Sequence, residues 1–224
     1  AVLAWTGAGQ GGLTYGDARG TVWDGQLRPV TLRTLSLGTL EVGLSPWTLP
    51  ALKARARLVM TGGDVYGTVM IERSLAGPAI SIEHADLVVD LRSLETVVPL
   101  LGSLAINGER FTFGPDGCQS ADFRVESDVL RRSFEALNWR GPVLSGTGEC
   151  RGPDLVLDLK GASDQGAVEV VLLVSPDLGY DIKAVLRDVD EDVGRAVIAM
   201  GFTQRDGAYH LKAVGTLVER GPET

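Results

Sequence analysis

The chain has 224 residues, of which 29 are glycine, nearly twice the usual share of about 7%, and 10 are proline with no three-residue period. A disordered tail and a collagen-like rod are excluded, and so many glycines fit turns, bulges and close backbone approaches in β structure. The net charge of −8 repels phosphate backbones, and no Lys/Arg cluster is interleaved with aromatics, so no nucleic-acid partner is expected.

In chain order, Ala1–Trp5 is apolar and Gly7-Ala8-Gly9-Gln10-Gly11-Gly12 fits the spacing GxGxxG. A dinucleotide site would need a helix opening at the last glycine and a following βαβ unit. The glycine-rich Leu13–Gly20 segment supplies neither, so a loop and no nucleotide binding are expected. Trp23 lies in a short strand that turns at Asp24-Gly25, and Trp47 follows Ser45-Pro46; both are expected to bury against a sheet.

Period-two alternation then dominates. Thr31–Leu37, Thr39–Leu44 and Lys53–Met60 read as half-buried strands, and Asp64–Glu72 continues the pattern after a turn at Gly62-Gly63. Further strands are expected over 79–91, 103–113, 120–126, 143–150, 154–160, 167–174, 180–187 and 208–218. Strands at roughly ten-residue spacing define a mainly β fold: a curled antiparallel sheet, a β-sandwich or a jelly-roll-like form. The segments Leu40–Pro46 and Val170–Pro176 share an apolar strand ending in Ser-Pro, a weak repeat compatible with two similar halves.

Three short helices interrupt this pattern. Ser93 precedes Leu94, Val97, Val98 and Leu101 at helical spacing, limited by Pro99. Asp128 is placed to cap 129–137, with Arg131 and Glu135 at i,i+4. Over 189–200 the acids Asp190, Glu191 and Asp192 suit the positive end of the helix dipole, and Val193, Ala196, Val197 and Met200 form one face before Gly201.

Signals for chemistry are sparse. Asp188, Asp190 and Asp192 space like the first calcium-loop ligands, but Val193 stands where glycine is needed and Ala199 where a bidentate carboxylate is needed. His84 and His210 sit in alternating strands, outside any catalytic signature. No catalytic, metal or cofactor residues are assigned. Cys118 and Cys150 have no CxxC or nearby histidine. One disulfide between them is the economical reading, with two reduced buried thiols as the alternative.

The order of features Gly20-Thr21-Val22-Trp23-Asp24-Gly25, Leu37–Leu40, Leu44–Leu49 and the hairpin Gly63–Gly67 resembles the type II secretion system protein N family. Ala196–Phe202, Arg205–Tyr209 and Gly215-Thr216-Leu217 are similar to that family's helix, Asp-Gly-Tyr turn and final strand. The resemblance implies a non-enzymatic accessory component of the secretion machinery on the periplasmic side of the inner membrane of a Gram-negative bacterium. It further implies an N-terminal membrane helix preceding this sequence, other secretion subunits as partners, and no cofactor. The expected organisation is a flexible start over 1–19, one β-rich domain over 20–218 and a tail over 219–224. A periplasmic binding or transfer module for a lipid or other apolar ligand is the alternative, because a curled sheet with one apolar face can form a groove.

Overall fold

The computed structural model describes residues 13–32, 35–75, 80–93, 101–133, 139–177 and 179–216. Fourteen strands form one open antiparallel sheet: β1 (Leu13–Gly20), β2 (Asp24–Leu32), β3 (Leu35–Ser45), β4 (Lys53–Thr61), β5 (Val65–Ser74), β6 (Ile80–Asp90), β7 (Ser103–Gly114), β8 (Gly117–Ser127), β9 (Leu144–Arg151), β10 (Asp154–Ser163), β11 (Gly166–Val174), β12 (Gly179–Arg187), β13 (Thr203–Arg205) and β14 (Ala208–Thr216). Each strand from β1 to β12 neighbours the next in sequence, then β14 joins β12 and β13 forms the far edge. This is the single antiparallel sheet of the expected mainly β class. A sandwich or jelly roll would split the strands between two sheets and shuffle their order.

Short helical pieces sit at the strand ends: α1 (Val129–Ser133), α2 (Glu191–Ala199) and 3₁₀ segments at Pro46–Ala51 and Leu91–Ser93. In α2 the expected face is present, with Val193 and Val197 buried and Met200 packed against the same cluster. Gly201 ends it at φ +98°. Asp128 does more than stand before a helix. Its Oδ1 accepts from the Ser103 backbone N–H at 2.7 Å and its Oδ2 from Arg132 Nε at 2.9 Å. The carboxylate therefore pins α1 to the start of β7, while Glu135 lies outside the described residues.

Three expectations are corrected. Thr31–Leu37 is not one strand, because β2 ends at Leu32, β3 begins at Leu35, and Thr31 faces Ser36 across the pair. A tight reversal preserves two-residue alternation, so the pattern alone does not reveal it. The chain turns before Asp24-Gly25, where the N–H groups of Trp23 and Asp24 donate to Thr21 Oγ1 and Thr21 N–H reaches the Asp24 carbonyl at 2.7 Å. Leu13–Gly20, within the segment read as a flexible start, is edge strand β1, paired from Leu13 opposite Leu32 to Gly20 opposite Gly25.

Side chains of directly paired residues share a sheet face, so the register shows what each face carries. One row runs Leu27, Leu40, Met60, Gly67, Leu87, Ile106, Val125, Gly146, Leu159, Val170, Ala184, Leu211. Every member is apolar or glycine, from β2 across to β14. A row on the opposite face runs Glu41, Val59, Thr68, Asp86, Asn107, Arg124, Thr147, Asp158, Val171, Lys183, Lys212 and is polar at most positions. The sheet is amphipathic over nearly its whole width.

Candidate functional site

The apolar face is the surface that the fold builds most deliberately. A second row on it runs Val42, Leu58, Val69, Ala85, Gly108, Phe123, Gly148, Leu157, Leu172, Ile182, Ala213. At one side, Leu27, Val30, Leu40, Met60, Val65, Val69 and Ala85 form a buried cluster composed wholly of strand residues. At the other, α2 and Trp139 close over Leu144, Val168 and Leu186. Between them Ile106, Phe111, Phe123, Leu157, Leu172 and Ile182 are only half-buried.

Phe123 organises that middle stretch. Its ring lies 5.7 Å from Phe111 in an edge-to-face arrangement, and Phe111 stacks on Phe113 at 6.0 Å. Gly108 and Gly148 flank Phe123 in the register, and a Cβ on either would come within 2.3 Å and 2.2 Å of its atoms. Glycine is required there by space, not by turn geometry.

Cys118 and Cys150 are joined in a disulfide with a Cα–Cα distance of 5.5 Å. Cys118 N–H also donates to the Pro153 carbonyl at 2.8 Å, so the β7–β8 hairpin is locked to the β9–β10 hairpin at one end of the sheet. The half-buried His84 lies on β6 opposite Met70, whereas His210 lies on β14 opposite Val185. Seven strand-to-strand steps separate those strands in the sheet, and the fold does not bring the two imidazoles together as neighbours. Asp188, Asp190 and Asp192 are exposed around the start of α2, where Asp192 and Glu191 pair with Arg195. Gly7–Gly12 lies outside the described residues. No group of three or more His, Cys, Asp or Glu able to hold a metal occurs among the described residues.

The tryptophans reverse the expectation. Trp47 is 89% exposed and Trp23 is 48% exposed. Both stand on connections between strands, where no neighbouring strand covers them. Trp139, which the sequence reading passed over, is 2% exposed and donates its indole N–H to the Gln165 carbonyl at 2.8 Å. The nearest signal for it was its place between α1 and β9, where a large side chain can plug the space under a helix.

Electrostatics are local and follow ion pairs on the polar side and at strand ends. Glu72 receives Lys53 at 2.6 Å and Arg55 at 3.0 Å, and Arg55 also reaches Glu83 at 2.8 Å. The Lys53 hydrogen bond, joined by Arg55, holds the Glu72 carboxyl below the ordinary range against a desolvation penalty. Asp90 is drawn down to about 2 by hydrogen bonds from the Arg92 side chain and backbone. Burial alone would raise Asp128, but its bonds from Ser103 and Arg132 together lower it. None of these carboxyls stands free and poised for proton transfer at neutral pH, so their chemistry is structural.

The molecule is an amphipathic one-sheet β protein whose depressed carboxyls Glu72, Asp90 and Asp128 are each held in an ion pair. The chain belongs to the type II secretion system protein N family, whose model matches residues 11–212. Membership makes it an accessory component of type II secretion, a machine of the Gram-negative envelope, that works with other components of that system. No curated protein and no solved structure matches the chain. No described helix is long and apolar enough to cross a membrane.

Proposed function

We propose that the chain is a non-enzymatic periplasmic scaffold of the type II secretion machinery, tethered at the inner membrane by a helix preceding this sequence. In this reading the expected domain over 20–218, extended to take in edge strand β1 from Leu13, acts as one unit. It presents sheet edges to other secretion subunits. The observation that carries the reading is the open sheet: β1 and β13 each have a strand partner on one side only. An unpaired edge offers N–H and C=O groups to an incoming strand. Edge β1 is exposed along almost its entire length, with Tyr15 45% exposed.

The test is site-specific photo-crosslinking in secreting cells, with the membrane-anchored protein carrying the crosslinker at Tyr15 or at Gln204 of β13. A discrete crosslink to a secretion subunit from at least one edge is expected. Absence of any such crosslink from both edges, with normal protein abundance, overturns edge docking.

A second reading, an apolar-ligand module, is favoured by the two apolar rows and the half-buried stretch around Phe123. Its test is native mass spectrometry of the chain purified from envelope extracts in mild detergent. A co-purifying lipid lost on Leu172→Gln, a polar change in the half-buried stretch of the apolar face, with the thermal midpoint retained, supports it; an unliganded chain counts against it.

A further inference from the structure

Large apolar side chains are concentrated at one end of the sheet, on the connections leaving β1, β3 and β5. Val22, Trp23, Trp47, Leu49, Leu52 and Leu75 are all exposed there, Leu52 at 61% and Leu75 at 59%. Because consecutive strands are antiparallel, the β1–β2 connection, the β3–β4 connection and Leu75 just past β5 stand at the same end of the sheet. Backbone bonds tie them into one ridge: Leu44 N–H donates to the Trp23 carbonyl at 2.9 Å, and Leu75 N–H to the Leu52 carbonyl at 2.8 Å. The apolar face runs directly up to it, through an open cleft of about 450 Å³ lined by Val22, Leu27, Val42 and Leu44.

We propose that this ridge inserts into the interfacial layer of a phospholipid bilayer. Four features select lipid as the occupant. Residues 46–52 carry no charge, whereas the opposite end of the same strands carries Asp64 between β4 and β5, Asp90 at the end of β6 and Arg92 just beyond it. Tryptophan, with an apolar body and one N–H, suits the boundary between headgroups and acyl chains. Pro46 and Pro50 remove two backbone N–H groups from the segment, and Leu52 N–H is satisfied by the Leu49 carbonyl at 2.9 Å, which lowers the cost of leaving water. Arg73, which has no ion-pair partner among the described residues, stands two positions behind Leu75 and is exposed, within reach of a phosphate headgroup.

Leu52 supplies an independent argument. Its φ of 55° places it in the left-handed region, where glycine or asparagine is cheaper, and most of its side chain stays exposed. A leucine that costs both backbone strain and exposure fits a residue whose partner lies outside the chain.

The test is flotation of the 224-residue chain with vesicles of phosphatidylethanolamine and phosphatidylglycerol, at low and high salt, with tryptophan emission as a second readout. The expected result is co-flotation that survives high salt and a blue-shifted emission. Trp47→Ser combined with Leu52→Gly should weaken binding by about tenfold or more, while the thermal midpoint is unchanged or raised, because glycine relieves the left-handed backbone. Two controls should bind like the wild type: Val214→Ser, an exposed apolar residue on β14, and Trp5→Ser. Failure of the wild-type chain to float, or undiminished binding by the ridge variant, overturns the proposal. So does loss of binding with Trp5→Ser or Val214→Ser alone. The proposal is separate from edge docking to secretion subunits, and either can fail alone.

Discussion

The ring of Phe123 stands over Gly148 across the step from β8 to β9, so close that a Cβ on that glycine would lie 2.2 Å from the ring's Cζ. Gly148→Val therefore forces the ring off its position and should destabilise the fold by about 1–3 kcal/mol, the usual cost of overpacking. Phe123→Ala, at a half-buried site, should cost about 2 kcal/mol and should make Gly148→Val milder when the two are combined. Chemical denaturation of the two single variants and the double variant measures the coupling; additive losses would show that the ring does not set the requirement for glycine.

The disulfide closes a loop of 32 residues between two adjacent hairpins. Under non-reducing, denaturing conditions, protein isolated from an oxidising compartment should show no reactive thiol. Cys118→Ser with Cys150→Ser should lower stability by about 3 to 4 kcal/mol in the chain-entropy model. Recovery of two free thiols from such material would contradict the pairing.

Trp139 fills the space beneath α1 and α2 and bonds to Gln165 through a single N–H. Trp139→Phe retains most of the apolar contact and should cost about 1–2 kcal/mol; Trp139→Ala also opens a cavity and should cost about 3–5 kcal/mol. Thermal unfolding of the pair separates the hydrogen bond from the packing. Equal losses would place all of the effect in the indole N–H bond to Gln165.

Glu72, Asp90 and Asp128 are all held below their ordinary values in the folded chain. As pH falls, the unfolded chain takes up these protons first. The stabilisation is complete above the ordinary carboxylate range and is lost as pH falls through it towards about 2, the value for Asp90. The thermal midpoint should be flat near neutrality and decline below about pH 4 to 5. Asp90→Asn and Asp128→Asn should each shrink that decline, because each removes one of the depressed carboxyls. A midpoint that rises on acidification would have the wrong sign for this arrangement.

His84 and His210 lie far apart in the sheet order, and the scaffold reading assigns neither a chemical role. The double variant His84→Ala, His210→Ala should export cargo at the wild-type level in a secretion assay. Loss of export with normal folding and abundance would instead indicate catalysis or metal binding.

Much of the architecture was legible in the chain itself. Alternation in Lys53–Met60 and Asp64–Glu72 marks strands with one apolar face, because side chains in extended backbone point to opposite sides in turn. The acids before Val193 and the glycine after Met200 marked α2 for equally local reasons. What lies against an apolar face is not local, so the same alternation fits a sandwich, a jelly roll or one sheet. Only the register from Leu27 through to Leu211 decides for one sheet. Long-range partners also decided the roles of single residues. Asp128 reads as a helix cap until Ser103, 25 positions earlier, claims its carboxylate. Trp47 and Trp139 are chemically the same side chain, yet one projects from an uncharged connection and the other is sealed beneath two helices. Composition determines how much an apolar ring gains from leaving water, but only the tertiary arrangement determines which surface is there to receive it.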